Sequence, residues 1–373
     1  MSTETQTQTA TKNLPEIPHW VAPPATKEEL PWADLPIIDL SKMATEEGRA
    51  ELTKEVCDAM REHGFLYVIN HGYTQEQTDR VFDICDVPFA QVSMEEKKKY
   101  EGTMLKTGSY QGYKLRNYWH IINGIQDQIE HYNFNHDVTI REHPEALRPL
   151  LPEVAEFAKH NHFNVVFPLL RLMARGLELP EDTFTKMHSF ESHNESYVRY
   201  MKYYPRSEEE EKGTNQVWLK GHVDFSTLTV LWSQPIGGLQ VQTRSGEWRW
   251  VRYIPNSLVI NTGDAMEFLS GGYYPATIHR VIQPPADQHG LERIGAFYFT
   301  MADDETRLGP VKDSPVLQKE GIKKRVGLDD DHPPTMREWR KARTSAYGKT
   351  KLTPGKDGVD HEVINGVVVR HYN

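Results

Sequence analysis

The feature that most constrains this chain is a His-x-Asp pair, His222 and Asp224, followed about 55 residues later by a second histidine, His279. On a β-strand, residues two apart project from the same face, so an imidazole would lie beside a carboxylate. An imidazole from a distant strand would complete two histidines and one carboxylate on one face of an octahedral ion. Such a ligand set, with the opposite face open, predicts a non-haem Fe(II) site for oxygen chemistry.

Taken alone, the tripeptide is weak support, because the chain has 17 histidines and 53 acidic residues and an exposed strand pair would look the same. The neighbouring segments strengthen the metal interpretation. His279 lies in a strand-like alternation at residues 277–281, and Arg293 opens another apolar strand. Repeated turn signals between the two histidines are what a small barrel needs to bring them together.

The predicted fold class follows from a change in the spacing of apolar residues along the sequence. From residue 197 onward, apolar residues alternate with a period of two, and Gly, Pro and Asn dipeptides punctuate the short strands. The predicted strands are residues 198–204, 225–232, 239–243, 248–252, 257–261, 276–281 and 294–299. We therefore expect a mixed α+β protein with a double-stranded β-helix (jelly-roll) core and flanking helices.

Helices are predicted on either side of this core. One covers residues 46–63, a second begins at a capping box formed by Thr74 and Gln77, and a third covers residues 152–175 with a bend at Pro168. A charged helix at 94–99 and an acidic loop at 205–218 are expected to face solvent. The aromatic segment 100–137 either lines an organic-substrate pocket or simply packs.

The C-terminal part also carries local signals. Thr335 and Glu338 form a second capping box, which predicts a final helix. Asn365 and Gly366 predict a two-residue hairpin. We expect four segments: a flexible N-terminal segment at 1–33, a helical and strand region at 34–190, the jelly-roll core at 191–302, and a C-terminal helical extension with the hairpin at 303–373.

Several motifs together resemble those of the 2-oxoglutarate/Fe(II)-dependent dioxygenases of the isopenicillin N synthase-like family. Besides the two histidines, the aspartate and the arginine, these are LPIIDL at 35–40, HGFLYVINHG at 63–72, YYP at 203–205 and GGLQV at 237–241. The likeness runs from about residue 34 to residue 302. It implies Fe(II), 2-oxoglutarate as cosubstrate, and O2.

The resemblance also implies roles for individual residues. His222, Asp224 and His279 would be the catalytic metal ligands, and Arg293 would bind the far carboxylate of 2-oxoglutarate. Tyr204 either contacts the cosubstrate or is a plain core tyrosine. The family usually has Arg-x-Ser, whereas this chain has Gly295 at the serine position, so one cosubstrate hydrogen bond of about 1 kcal/mol is missing. Lys202 likewise stands where the family often has asparagine. Three aromatic residues either touch substrate or belong to the core: Phe225, Trp232 and Phe299.

The implied reaction converts 2-oxoglutarate to succinate and CO2 while a small organic molecule is oxidised. Hydroxylation is the default, but desaturation, ring rearrangement and O-demethylation use the same site, and the aromatic content suggests an aromatic or secondary-metabolite substrate. Two alternatives stay open: an Fe(II) oxidase without 2-oxoglutarate, for which Gly295 leaves room, and a metal-binding or sensor module without turnover.

Composition limits the partners. The 373 residues carry a net charge of −10, which argues against nucleic acid. Cys57 and Cys85 are the only cysteines and fall on apolar helix faces, so we expect buried thiols and a reducing, cytoplasmic location. The N-terminus has no apolar signal region and no stretch of 18 apolar residues occurs, so neither secretion nor a membrane partner is expected.

Overall fold

The structure, a computed structural model, describes residues 14–323, 325, 327–329, 331–346, 353–354, 360–364 and 366–371. The helices are α1 (Glu46–Glu62), α2 (Gln75–Ala90), α3 (Met94–Lys99), α4 (Met104–Thr107), α5 (Leu151–His160), α6 (Phe167–Gly176), α7 (Glu208–Gly213), α8 (Asp264–Leu269), α9 (Pro315–Glu320) and α10 (Met336–Ala346). The strands are β1 (Ile37–Asp39), β2 (Phe65–Ile69), β3 (Gly112–Lys114), β4 (Ile129–Asn135), β5 (Tyr197–Tyr203), β6 (Val217–His222), β7 (Leu228–Trp232), β8 (Leu239–Gln242), β9 (Trp248–Trp250), β10 (Leu258–Thr262), β11 (His279–Ile282), β12 (Arg293–Thr300), β13 (Thr353–Pro354), β14 (Asp360–Ile364) and β15 (Val367–His371).

Two sheets form the core. The large sheet has the order β1-β2-β10-β7-β12-β5-β4-β3, and the small sheet has the order β6-β11-β8-β9. Apart from the parallel pair of β1 and β2, the neighbouring strands within these two sheets run antiparallel. The inner faces of both sheets line one cavity and pack their apolar residues together. This arrangement confirms the predicted mixed α+β fold with a jelly-roll core.

The large sheet is buried on both faces. In β2, Phe65 and Tyr67 face the small sheet, while Leu66 and Val68 face the helices, as a two-residue period requires. Residues of α1, α2, α5 and α6 cover the outer face. The helices therefore hold the large sheet from outside, and the functional cavity is left on its inner face.

The first two predicted helices are confirmed. Thr74 and Gln77 make both hydrogen bonds of the capping box at the start of α2. The apolar spacing of these helices predicts inward faces that include Leu52 and Val56 in α1 and Val81 and Ile84 in α2, and all four are buried. The charged α3 is also a helix, but Lys97 is buried and pairs with Glu130 at 2.9 Å, so the prediction of a fully solvated helix was wrong at that residue.

The predicted helix at 152–175 is interrupted rather than merely bent. Residues Asn161–Val166 form a π-helical turn between α5 and α6, and Pro168 lies in the first turn of α6. The wider turn shifts the phase of the apolar face. The helical spacing of apolar residues predicts Phe163 in the core, but it is 44% exposed. Asn161 fills the break by accepting a hydrogen bond from the Trp232 indole at 2.9 Å.

Two segments for which the sequence predicted no helix or strand contain regular structure. Residues 100–137 include β3 and the seven-residue β4, which is buried throughout although polar residues occupy both of its faces. The acidic loop at 205–218 contains α7, and Glu211 on that helix is buried and accepts a hydrogen bond from the Trp218 indole at 2.8 Å. Glu130 of β4 and Glu211 of α7 are thus buried with partners inside the protein, which the sequence pattern does not reveal.

The C-terminal predictions are confirmed. Thr335 and Glu338 exchange the two capping-box hydrogen bonds, at 2.8 and 3.2 Å, and α10 follows. Strands β14 and β15 pair with Ile364 opposite Val367, which leaves a two-residue turn, although Asn365 itself lies outside the described residues. Both cysteines are free and buried, as predicted.

The N-terminal segment lies along the surface. The first 13 residues of the predicted flexible segment lie outside the described residues, whereas those from 14 to 33 make specific contacts. The Trp20 amide donates to Asp83 at 2.7 Å, and the Lys27 amide donates to Asp287 at 2.8 Å. None of the helices that the structure describes is long and apolar enough to cross a membrane.

A buried ion pair fixes the segment that leads into the cavity. Lys114 and Asp127 form a close pair with no solvent exposure, and Asp127 also accepts hydrogen bonds from the backbone amides of Tyr118 and Trp119. The Lys114 ammonium also lies 4.0 Å from the centre of the Trp119 ring. Trp119 lines the cavity, so this pair holds part of the cavity wall.

We predict that Lys114→Met lowers the free energy of unfolding by about 3–5 kcal/mol, because it leaves the Asp127 carboxylate buried without its cation. Urea denaturation measures the change. Lys54→Met is the matched control, since Lys54 and Asp58 form an exposed pair that is worth at most about 1 kcal/mol. Equal effects of the two substitutions would contradict the structural role of Lys114.

Candidate active site

The three predicted metal ligands meet in the cavity between the sheets. His222 Nε2 lies 3.8 Å from Asp224 Oδ1, and His279 Nε2 lies 3.8 Å from Asp224 Oδ2. One ligand atom from each residue lies within 4.8 Å of the others, and no second cluster of this kind occurs among the described residues. The two histidines face each other because β11 pairs with β6 and places His279 opposite His222.

The route by which Asp224 reaches the site differs from the prediction. His222 is the last residue of β6, and Asp224 lies in the loop beyond it, not two residues along the same strand. Asp224 Oδ2 accepts hydrogen bonds from Thr229 of β7 at 2.7 Å and from Asn261 of β10 at 2.8 Å. Strands of the large sheet therefore orient a carboxylate that follows a strand of the small sheet.

Both imidazoles direct Nε2 toward the shared centre. His222 Nδ1 is 2.8 Å from the Lys220 carbonyl, and His279 Nδ1 is 3.2 Å from the Thr277 carbonyl. A carbonyl at Nδ1 selects the tautomer with the proton on Nδ1, which leaves the Nε2 lone pair for a metal. Burial and the neighbouring His279 lower the pKa of His222 to about 3, so His222 is neutral at physiological pH.

The carboxylate is ionised. Burial acts to raise the pKa of Asp224, but the nearby histidines and the hydrogen bonds from Asn261 and Thr229 outweigh it, so the pKa lies below its ordinary value. Two neutral imidazoles and one carboxylate form the donor set that suits Fe(II) with positions left open for substrates. The residues present therefore fit a ferrous ion.

The cavity and its open mouth together hold about 900 Å³ of atom-free space, a volume that includes solvent outside the walls. Its walls are largely apolar and aromatic, and the polar groups are few. The metal ligands lie on the small-sheet side. The large sheet supplies the facing wall, mainly from β5 and β12.

Arg293 lies on that facing wall, where the sequence pattern predicted a carboxylate-binding residue. The residue is 4% exposed and lines the same cavity as the metal ligands. Its Nε donates to the Gly237 carbonyl at 3.1 Å, and no carboxylate lies within ion-pair distance among the residues that the structure describes. Burial lowers the pKa of Arg293, with no nearby carboxylate to offset the effect. A buried guanidinium without a counter-ion is what a site for an anionic ligand requires.

The structure places Tyr204 away from this cavity. Its hydroxyl donates to Glu130 at 3.1 Å, and it is not one of the lining residues. Tyr203 lines the cavity instead and lies directly opposite Arg293 in the pairing of β5 with β12. The Arg293 guanidinium is 5.4 Å from the centre of the Tyr203 ring. Tyr203 therefore occupies the place that we assigned to its neighbour.

Gly295 shares the inner face of β12 with Arg293 but is covered. A Cβ atom built at Gly295 would lie 2.7 Å from the ring of Phe297. Gly295 is not among the residues that line the cavity, whereas Phe297 is. The aromatic ring thus lies over the position where the family has a serine side chain.

Of the aromatic residues singled out in the sequence, Phe225 and Phe299 line the cavity and Trp232 does not. Trp232 has no exposed surface and packs on the helix side. In the aromatic segment 100–137, Tyr110 and Trp119 line the cavity. The segment therefore contributes to the pocket through these two residues, whereas its other aromatic residues pack outside it.

Sequence reasoning missed two arginines in the cavity. Arg199 lies on β5, on the face that also carries Tyr203. Arg343 comes from α10, far outside the motif region, and donates to the Val223 carbonyl between the two metal ligands at 2.9 Å. The alternation of β5 places Arg199 on the same face as Tyr203, but β5 is buried on both faces, so the pattern does not show that this face lines the cavity. No local pattern points to Arg343.

Two sequence families match the chain. The N-terminal family of the non-haem dioxygenase in morphine synthesis matches residues 35–153, and the 2OG-Fe(II) oxygenase superfamily matches residues 195–302. The second match contains the complete metal triad and Arg293. The chain belongs to the 2OG-Fe(II) oxygenase superfamily.

Relatives of this 2OG-Fe(II) oxygenase include enzymes with small organic substrates in their names. Mugineic-acid 3-dioxygenase of Hordeum vulgare is 26% identical over 354 residues, which cover 92% of this chain and 87% of that protein. Feruloyl CoA ortho-hydroxylase 2 of Arabidopsis thaliana is 29% identical over 279 residues, 74% of this chain and 72% of that protein. The sequence-based recognition of an isopenicillin N synthase-like dioxygenase is confirmed.

A solved structure shows the same fold. Full-length T7H of Neurospora crassa in complex with alpha-KG superposes with a TM-score of 0.72 at 21% identity and covers 87% of this chain and 100% of that one. As a 2-oxoglutarate-dependent dioxygenase, the protein uses Fe(II), 2-oxoglutarate and O2 and oxidises a small organic molecule.

We predict that Asn261→Leu weakens Fe(II) binding by about 10–100-fold, because the carboxylate of Asp224 loses an orienting hydrogen bond. Anaerobic titration with Fe(II) measures the affinity. Ser233→Ala is the control, since its hydroxyl pairs with Ser257 at 3.0 Å and touches no metal ligand. An unchanged iron affinity in Asn261→Leu would show that this hydrogen bond does not position the ligand.

Proposed function

We propose that His222, Asp224 and His279 hold the iron of this dioxygenase and that Arg293 binds the far carboxylate of 2-oxoglutarate. Together they couple the conversion of 2-oxoglutarate and O2 to succinate and CO2 with oxidation of a small organic molecule in the same cavity. Bound Fe(II) and 2-oxoglutarate supply the activation of O2. The protein supplies the ligands, the anion site and a water-poor cavity.

The observation that carries this proposal is the buried Arg293 without a carboxylate partner in the described chain, on the wall opposite the metal ligands. Burying a charge costs several kcal/mol unless a partner compensates it. Nε is already bonded to Gly237, so the two terminal nitrogens remain as a planar fork for a carboxylate. A dicarboxylate that reaches from the metal to this fork provides the missing counter-ion.

Apolar residues surround the path between the metal and Arg293. Leu231, Leu239, Val259 and Val281 line this part of the cavity. They suit the methylene groups of 2-oxoglutarate, and they limit water around the charged groups, which strengthens the electrostatic interactions there. Tyr203 covers Arg293 from β5 and replaces Tyr204 in our assignment of cosubstrate contacts.

Hydroxylation is the outcome that we propose first, and desaturation, ring rearrangement or O-demethylation would use the same residues. Arg293 favours the 2-oxoglutarate-dependent reaction over an iron oxidase that dispenses with the cosubstrate, because the far carboxylate of 2-oxoglutarate gives this guanidinium its counter-ion. We also propose a reducing, cytoplasmic location without nucleic-acid or membrane partners. The two free thiols and the net charge of −10 support this.

We predict that anaerobic addition of Fe(II) and 2-oxoglutarate produces a visible charge-transfer band, and that O2 then yields succinate. His222→Ala loses both signals, because one imidazole ligand is removed. Absorbance spectra and succinate measurement provide the readouts, and His289→Ala is the control, since His289 is exposed. Wild-type protein that binds iron but shows neither signal would refute the proposed function.

We predict that Arg293→Gln raises the Kd for 2-oxoglutarate at least about 30-fold, since removing one member of a buried charged pair costs at least about 2 kcal/mol. Fe(II) affinity should stay unchanged, because Arg293 is not a metal ligand. The control is Arg280→Gln on the adjacent small sheet, where Arg280 bonds to Gln240 at 2.9 Å. If substrate oxidation in Arg293→Gln were normal without 2-oxoglutarate, the oxidase alternative would be correct.

A further inference from the structure

We propose that the substrate is a planar organic acid whose carboxylate binds to Arg199 and whose ring lies against the aromatic residues around that side chain. This inference rests on the proposed function, because it takes the Arg293 end of the cavity to be filled by 2-oxoglutarate. It names the substrate class for the remaining end.

Arg199 and Arg293 lie at different ends of the cavity wall. In the pairing of β5 with β12, Arg293 is opposite Tyr203 and Arg199 is opposite Phe297. Four residues along a strand correspond to roughly 13 Å. A molecule as short as 2-oxoglutarate, held by the metal and Arg293, does not extend to Arg199. The second guanidinium is therefore left for the other reactant.

Arg199 has no acidic partner in the described chain. Its Nε donates to the Asn133 side chain at 2.8 Å, and no ion pair forms within 4.0 Å among the described residues. Its guanidinium carbon lies 4.9 Å from the ring centre of Phe299, 5.2 Å from that of Tyr197 and 5.4 Å from that of Tyr110. Such contacts hold the cation by interaction with ring faces, without neutralising it. The two terminal nitrogens remain for a carboxylate.

The balance of charge in the cavity favours an anion. Fe(II) with Asp224 carries one net positive charge, and Arg199 and Arg293 add two more. The two negative charges of 2-oxoglutarate leave one positive charge uncompensated. Because the cavity is largely apolar, a substrate with a single carboxylate compensates that charge where a neutral molecule does not.

Arg343 does not change this balance. Its Nε lies 3.6 Å from Asp264, which also pairs with Arg325, and Arg325 in turn pairs with Glu267. These two arginines and two acids are balanced among themselves. Arg343 is thus a positioning residue that holds the Val223 carbonyl, and Arg199 is the cation available to substrate.

The aromatic residues near Arg199 fit a flat molecule. Tyr110 and Phe225 are stacked with their ring centres 5.6 Å apart and 17° between their planes, and Tyr197 and Phe299 are stacked at 4.7 Å and 17°. Phe225 directly follows the metal ligand Asp224 in sequence, so this aromatic surface begins beside the metal. A ring lying against it, with its carboxylate on Arg199, presents its far edge toward the reacting centre.

The test compares ligands that differ only in charge or only in planarity. Isothermal titration under anaerobic conditions, with Fe(II) and 2-oxoglutarate bound, measures the Kd of 2-naphthoate, 2-naphthamide and the saturated analogue decahydro-2-naphthoate. We expect 2-naphthoate to bind at least about tenfold more tightly than 2-naphthamide, because a hydrogen bond to a charged group is worth about 1.5–3 kcal/mol. It should also bind more tightly than the saturated acid, which cannot stack.

Arg199→Gln should abolish the preference for the acid over the amide, and Arg199→Lys should restore part of it. Neither change should alter the Kd for 2-oxoglutarate, which separates this site from that of Arg293. The control is Arg252→Gln, since Arg252 also lies over an aromatic ring, that of Trp32 at 5.0 Å, but outside this cavity. Circular dichroism and a thermal melt check that each variant is folded.

The outcomes separate the two proposals. If wild-type protein fails to bind 2-oxoglutarate, the proposed function fails. If 2-oxoglutarate binds normally but the amide binds as tightly as the acid, or if Arg199→Gln keeps the preference, the substrate inference is overturned. If the flat and saturated acids bound equally well, the claim that the substrate is planar would be overturned.

Discussion

The pairing of β11 with β6 is the constraint on which the rest of the site depends, because it sets His279 directly opposite His222. The third ligand is not fixed by that pair. Thr229 and Asn261, on two strands of the large sheet, orient Asp224 from across the cavity. The metal centre therefore joins the two sheets, and a ligand set with the right spacing exists only when the sandwich is closed. Iron binding and closure of the core should consequently stabilise each other.

The sequence was sufficient to nominate His222, Asp224, His279 and Arg293, and the fold brings all four side chains to one cavity. It could not assign every inward-facing residue. β5 is buried on both faces, so the apolar pattern does not reveal which alternate set faces the cavity. The choice between Tyr203 and Tyr204 depends on the register with β12, a long-range property. The same ambiguity concealed Arg199, and only tertiary packing brings Arg343 to the site.

The buried cations of this protein fall into two groups that differ in their partners. Those that support the fold have a carboxylate close by, and breaking such a pair leaves an uncompensated charge. Arg293 has no such partner in the described chain, and neither has the half-buried Arg199, yet both lie on the cavity wall. Since a protein gains no stability from an unpaired buried charge, these two residues are the ones to which we assign ligand carboxylates. In the described chain, the buried cations with an acidic partner are Lys97 with Glu130, Lys114 with Asp127, Arg340 with Asp304, and Arg343 with Asp264.

The absence of the family's serine at position 295 is explained by the packing of the cavity wall that carries Arg293 and Arg199. Phe297 lies over Gly295, and a side chain at that position would come within 2.7 Å of its ring. Phe297 also stacks with Phe299 at 5.7 Å, which continues the aromatic surface from the cosubstrate end toward Arg199. The lost hydroxyl costs about 1 kcal/mol of cosubstrate-binding free energy. Each ring contact in the aromatic wall contributes a free energy of similar size. Under the assignments proposed above, glycine at position 295 exchanges one cosubstrate contact for an uninterrupted aromatic surface on the substrate side.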